Sequence, residues 1–575
     1  MMKHYYLLFA VLFLFACSKN KNTETKSPQI TSKIGCLTPK TTDKDWYSLN
    51  KKAPKFEGLK GIDFKISTKN QEVQQYFNQG MMLAYGFNHA EAARSFYEAS
   101  RLDPNCAMAY WGFAYVLGPN YNAGMEEDNF QRAYDAIQKA KKLSVKCSPK
   151  EIALIDAMTV RYVENPPADR KPLDIAYAEA MKKVYAKFST DPDIGALYAE
   201  SLMNLHPWDL YDKNTGAIKK WTPEIVEILQ ELMVRNPKHP GAHHFYVHAL
   251  EASSTPEKAL KSAKLLETLV PGSGHLVHMP SHIYIRTGDY HEGSLSNIQA
   301  IKIDSLYTTV CHAQGAYPLA YYPHNYHFLT ATAALEGNSK LAWNTAKTLQ
   351  EHISVEIMRQ PGWGTLQHYY TIPYYIAVKF AMWDAIIALP KPENDLVYPQ
   401  AIWHYARGMA YLGKNNLINA EKEFSALDKL SKNTTLKDLT IWNINTTADL
   451  AVIASKVLEA GIASKKKDLN KSILLLNEAI AIEDNLNYNE PPDWFFSVRL
   501  YLGAVLLKAE KYNEAEKIYR KDLEIWRKNG WALIGLYNSL LKQKKESEAL
   551  KVKTAFDDSW QYADFKITSS ASIME

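Results

Sequence analysis

The stretch from 76 to 104, "YFNQGMMLAYGFNHAEAARSFYEASRLDP", limits what this chain can fold into more than any other. Gly80, Tyr76 and Leu83 mark one face of a first helix, Ala92, Phe96 and Ala99 mark one face of a second, and Pro104 ends the unit. A small residue at a crossing lets two helix backbones approach, and a large one on the partner fills the groove. One such hairpin cannot bury its apolar face alone, so it must stack on copies. Copies follow. "AMAYWGFAYVLG" puts Gly112 in the small position, with a lengthened turn, "GPNYNAGMEEDN", before Ala133. Near the other end Gly408, Tyr411, Ala420 and Phe424 fall in the same register, as do Gly503, Leu506, Ala515 and Tyr519. A weaker unit begins at Trp531 with Gly535. The length, 575 residues, exceeds what one core serves, and strand signals are nearly absent, which fits an array.

This register resembles the tetratricopeptide repeat (TPR), a helical hairpin of about 34 residues. The resemblance implies an all-α, TPR-type helical-hairpin solenoid. Between about 150 and 395 the period is irregular, yet "TDPD", "NPKHPG", "STPEKA" and "TGDYHE" keep the punctuation of helix starts. The expectation is one continuous solenoid with degenerate central repeats. TPR-like repeats occupy 71–148, degenerate His-rich repeats 149–395, and C-terminal TPR-like repeats 396–565. Residues 37–70, with Pro39, Pro54 and "GLKGIDFKIST", read as an irregular arm across the first repeat. Function then belongs to the concave face or to loops between helices.

The first residues follow a different logic. Lys3 and His4 precede an apolar run from Tyr5 to Ala16, too short to span a bilayer but matching a secretory signal. It ends in Leu14-Phe15-Ala16-Cys17, which resembles the bacterial lipobox. Residues 1–16 are thus expected to be a lipoprotein signal peptide, Cys17 the lipidated residue, and 17–36 a polar, flexible tether. That implies anchoring by lipid to a bacterial membrane, the outer one by preference, facing the periplasm or the cell surface. No acidic cluster follows Cys17, which leaves the periplasmic side open. The best later candidate for a span, "YYIAVKFAMWDAIIAL", is broken by Lys379 and Asp384. In an oxidising envelope Cys36, Cys106, Cys147 and Cys311 permit two disulfides, although Cys106 reads equally as a small buried residue. Lys plus Arg is 67 against 62 Asp plus Glu, without a basic block, which argues against nucleic acid as a partner.

Most of the 17 histidines lie between His206 and His404. His244 and His248 are four apart, with Glu251 three further on. His278 and His282 repeat that spacing, with His275 just before them and Pro280 between. An i, i+4 pair projects two imidazoles side by side, as a metal ion requires. Pro280 predicts a kink or a helix restart. Weaker candidates are His206 with Asp209, and His324 and His327 in "YYPHNYHF". Three readings stay open: histidines satisfied by backbone carbonyls and aromatic hydroxyls in a packed centre; a transition-metal site, zinc for example; or a polar pocket for an organic ligand such as a sugar stacked on Trp208 or Trp363.

The segments "HPWDLYD", "NPKHPGAHHFYVHALEAS" and "PGSGHLVHMPSHIYIRTGDY" resemble a recurrent group of bacterial envelope TPR proteins with a His-rich centre. The resemblance implies fold and location but no reaction. Catalytic signatures are missing: His244 is followed by Phe245 and His278 by Met279, so neither pair carries the Glu of a zinc-peptidase motif. No phosphate loop, nucleophile elbow or dinucleotide fingerprint occurs. Ser273 in "PGSGH" reads as part of a helix-to-helix turn, and Cys311 beside His312 as burial or a disulfide. The first reading is therefore a non-catalytic, membrane-anchored scaffold. Its groove would recruit a protein or peptide partner, by analogy beside a polysaccharide-utilisation system. The alternative is a metal-binding protein or metal-dependent hydrolase centred on the histidines.

Overall fold

The computed structural model, described for residues 44–49, 51–213, 215–311 and 321–574, consists of antiparallel helix pairs that succeed one another along the chain. They begin with Gln71–Tyr85 and His89–Leu102, continue with Ala107–Leu117 and Asn129–Leu143, and end with Gly530–Lys542 and Glu546–Ser559. The chain is an all-α helical-hairpin solenoid of the TPR type. Among the described residues the one sheet is a short antiparallel pair, Thr440–Ile441 with Asn445–Thr446. Helix starts are built as their sequences direct: Asn70 accepts from the Glu72 amide at 2.9 Å, and Ser148 and Glu151 form a reciprocal capping box.

The repeat register works through one aromatic seated between two glycines. A Cβ at Gly80 would lie 2.7 Å from the Phe96 ring, and one at Gly112, on the next first helix, would meet the same ring. Tyr519 is held in the same way between Gly503 and Gly535. Gly112→Leu must displace Phe96 from both neighbours, and overpacking of this kind costs about 1–3 kcal/mol. A lowered melting temperature is expected, and an unchanged melting curve would show that Phe96 has room to move.

The central hairpins continue the architecture: Pro192–Met203 with Thr222–Arg235, Pro240–Glu251 with Leu260–Leu269, and Tyr322–Leu335 with Ser339–His352. Between the last two stands a first helix in two pieces, Gly274–His278 and Pro280–Thr287, paired with Tyr290–Cys311. Proline sits at the first turn of the second piece, where its missing N–H costs nothing. All twelve residues of Pro240–Glu251 are buried, which leaves that helix without an amphipathic stripe. This is why the repeat period fades here while the hairpins persist.

Residues 51–70 run without helix across the first hairpin. Tyr76 Oη donates to the Ala53 carbonyl and Gln79 Nε2 to that of Pro54, both at 2.9 Å. Cys106 and Cys147 are free thiols, so no disulfide joins this pair. Residues 1–36, with Cys17 and Cys36, and the side chain of Cys311 lie outside the described residues. No described helix is long and apolar enough to cross a membrane.

The last hairpins fold back on the centre. Tyr290 Oη donates to the Arg527 carbonyl and Arg527 pairs with Glu257, both at 2.8 Å; Asp564 accepts from the Ser339 amide and hydroxyl at 2.6 and 2.8 Å. The apolar interior falls into two large bodies and a small cluster of Leu533, Ile534 and Phe556. Of the two large bodies one is built almost wholly from residues 46–283 and the other from residues 285–574, and the histidines pack on both, His244 on Phe87 of the first and His278 on Phe328 of the second.

Lys379 ends the helix Gly364–Lys379 and is half-buried, with Nζ 3.9 Å from the centre of the Trp531 ring. Burial pushes its pKa down to about 7. A lysine depressed in the fold destabilises it wherever the amine must be charged. That cost is absent above about pH 10.5, grows as pH falls, and is complete below about 7. Lys379→Met is expected to raise the melting temperature more at pH 6 than at pH 10. An equal gain at both would mean that the ammonium is well solvated.

Candidate metal centre

Successive first helices carry the histidines to one place. Pro240–Glu251 brings His244, His248 and Glu251; Gly274–His278 and Pro280–Thr287 bring His275, His278 and His282; Tyr322–Leu335 brings His324. Ring nitrogens of His244, His248 and His275 lie within 4.8 Å of one another, and so do those of His278, His282 and His324. A third group of the same size joins Glu251, His282 and Glu490.

The hydrogen bonds fix which nitrogen each ring offers. His244 Nδ1 donates to the Tyr85 carbonyl at 2.6 Å, and His248 Nδ1 to Glu251 Oε1 at 2.9 Å. In the neutral rings both Nε2 atoms are therefore lone pairs. With Nε2 of His275 they are buried and without a hydrogen-bond partner. Two lone pairs and a third unpartnered ring nitrogen gathered in one buried place are a polar group that a cation among them would satisfy. Burial pushes His244 and His275 well below the usual imidazole range, with neighbouring histidines adding to the effect, so protons are poor candidates for that cation.

The second trio differs. Asn297 Nδ2 donates to the Gly293 carbonyl at 2.7 Å, which turns its Oδ1 to accept from His278 Nδ1 at 2.7 Å. His278 Nε2 is thus a lone pair, 2.9 Å from His282 Nε2. That spacing suits a proton shared between two rings. It also matches neighbouring ligands around one ion with bonds of about 2.0–2.1 Å. His282 Nδ1 lies 2.8 Å from Glu251 Oε2 and from Glu490 Oε2, yet neither contact has hydrogen-bond geometry. Burial opposes charge on His282, but the two carboxylates outweigh it and raise its pKa to about 9. Glu251 is held below the usual carboxylate range, against burial, by His248 and His282. Without metal, then, a protonated His282 can fill the second trio.

Each trio packs on one phenylalanine. Phe87 lies 4.6 to 5.7 Å from the rings of His244, His248 and His275, and Phe328 lies 4.7 to 5.5 Å from those of His278, His282 and His324. A cavity of about 80 Å³ opens beside both trios, reaching His275, His282, His324 and Glu490, with Trp208 and Trp442 in its wall. Both tryptophans have left-handed backbone, φ 57° and 51°, a strained conformation for a bulky residue that holds these rings at the cavity.

The weaker sequence candidates divide. His324 completes the second trio. His206 instead stacks on Trp221 with ring centres 3.8 Å apart, Asp209 pairs with Lys219, and His327 packs against His368 and Phe495, so none of these joins a metal-type group. Trp208 borders the cavity, whereas Trp363 packs on the second apolar body. Sequence reasoning missed Glu490, 208 residues beyond His282. It sits in the long connection between Leu469–Asn485 and Arg499–Lys508, whose unusual length for a TPR turn was the available signal.

Fold and site together define a helical-repeat protein with a histidine-rich, carboxylate-braced centre enclosed by its own hairpins. No protein-family model matches the sequence, and no curated protein matches it. Among solved structures it is similar to the human IFIT1 dimer with m7Gppp-AAAA, at 14% identity over 86% of this chain and 91% of that one, with a TM-score of 0.31. Yeast Tom70 aligns at 14% identity over 86% and 93%, with a TM-score of 0.26. The P58(IPK) TPR domain aligns at 13% over 83% and 99%, with a TM-score of 0.20. The assignment of fold rests on the hairpins themselves.

Proposed function

We propose that this protein binds transition metal and that the helical array is the scaffold that encloses it. The observation that carries this reading is the trio of buried, unpartnered Nε2 atoms on His244, His248 and His275. Neutral imidazoles select zinc, copper, nickel or iron over calcium or magnesium, and copper binds most tightly in that series. The outer contacts support the same reading, since a metal-bound histidine commonly donates its other N–H to a carbonyl or carboxylate, as His244 and His248 do.

The test is elemental analysis of the full chain purified without a histidine tag, beside His248→Ala. Near-stoichiometric transition metal, lost in the variant, is expected. A wild-type chain that stays metal-free after incubation with zinc, copper and iron would overturn the reading and leave polar packing.

The proposal extends to place and partners on separate grounds. The pattern from Lys3 to Cys17 supports a lipoprotein of the bacterial envelope, and resemblance to His-rich envelope TPR proteins agrees with it. A hairpin array of this length also offers surface for a protein or peptide partner. A link to polysaccharide utilisation rests on analogy with other envelope lipoproteins. Radiolabelled palmitate incorporation that depends on Cys17 tests the anchor, and its absence would remove the envelope assignment.

A further inference from the structure

The two trios are one arrangement repeated. In each, a first helix supplies an i, i+4 pair, His244 and His248 or His278 and His282, and the next first helix supplies the third ring, His275 or His324. Each has one phenylalanine against its rings. The histidine spacing is thus repeated one hairpin on, while the outer contacts differ: Phe87 comes from the turn after Gln71–Tyr85 and Phe328 from the helix of His324.

The sets are also adjacent. Ring centres of His248 and His282 lie 5.8 Å apart and those of His275 and His278 5.9 Å, no further than the 6.3 Å between His248 and His275 within one trio. Glu251 ties them together: Oε1 accepts from His248 of the first trio, and Oε2 lies 2.8 Å from His282 of the second. One carboxylate thus orients a ligand at each position, and the cavity reaches rings of both.

We propose that the six histidines form a dinuclear transition-metal centre: one ion held by His244, His248 and His275, and a second by His278, His282 and His324. Glu251 is the shared outer brace, and both ions face the same cavity. With rings of the two sets only 5.8 and 5.9 Å apart, two ions held this way are neighbours, the arrangement in which two-metal sites act on one small ligand. The all-nitrogen donor sets favour copper or zinc. This inference rests on the metal-binding reading above but goes beyond it in number and mutual position.

Copper(II) is the probe, because paired spins report their distance. The full chain, stripped with chelator, is titrated with Cu(II), and bound metal is read by elemental analysis and electron paramagnetic resonance. Two ions per chain are expected, with an integrated signal below that of two isolated ions or with a half-field line. His244→Ala and His324→Ala should each bind one ion with an ordinary mononuclear spectrum, and the double variant none. One ion per wild-type chain, or two with the spectrum of isolated spins, overturns the dinuclear centre while leaving metal binding intact. A wild-type chain that binds no copper here and stays metal-free with zinc and iron as well overturns both. The wild-type measurement decides the question even if a variant fails to fold.

Discussion

Glu251→Ala is expected to destabilise the protein by about 3–5 kcal/mol, because it strips the partner from a buried charge. Glu251 is 1% exposed, accepts from His248 at 2.9 Å and faces His282 at 2.8 Å. Its removal leaves His248 Nδ1 without an acceptor and His282 with Glu490 alone. The effect on metal should be comparably large, since loss of an outer-shell partner commonly lowers affinity 10–100-fold, and here one residue serves both trios. Glu251→Gln keeps the volume and one acceptor and should fall between. Chemical denaturation and metal content, measured together, check this; a variant as stable as the parent would mean that Glu490 alone suffices.

The same pair sets a pH dependence in the metal-free chain. His282 is raised to about 9, so its contribution is fully present below its ordinary value near 6.5 and is lost as pH rises through about 9. Glu251 is lowered, so its contribution is present above the ordinary carboxylate value and is lost in acid. The deficit of Glu251→Ala should accordingly narrow above pH 9 and again at low pH. A deficit independent of pH would show that packing, not charge, is what Glu251 supplies.

Gly274→Val is expected to abolish the site from outside it. Gly274 opens the helix that carries His275 and His278, and any Cβ there would collide with the carboxylate of Asp304. Asp304 cannot readily give way, being 1% exposed and taking a hydrogen bond from Asn325 Nδ2 at 2.7 Å. The helix must move instead, at an overpacking cost of about 1–3 kcal/mol. Two histidines, one from each trio, move with it. Loss of bound metal with a folded far-ultraviolet spectrum is the expected outcome, and retained stoichiometry would mean that the helix start can relax without shifting the rings.

The ends of the array were legible because their helices keep one face in solvent. In the unit of residues 76–104, glycine and alanine mark the crossings and Phe96 fills them, so the period stands out against polar surroundings. Pro240–Glu251 is a hairpin helix of the same kind, but it is buried on every side and its sequence carries no period to read. The paired spacing of His244 with His248 and of His278 with His282 was likewise visible, since four residues is one helical turn.

The hairpins, their order, the restart at Pro280 and the i, i+4 histidine pairs depend on residues a few positions apart and are written locally in the chain. That His275 completes the first pair, that His324 rather than His327 completes the second, and that Glu490 meets His282 from 208 residues away are settled by the packing of the hairpins. Those contacts depend on how far each hairpin rotates against the next and on the return of the last hairpins to the centre. Such rotations are set by packing summed over whole helix faces, and no local spacing encodes them.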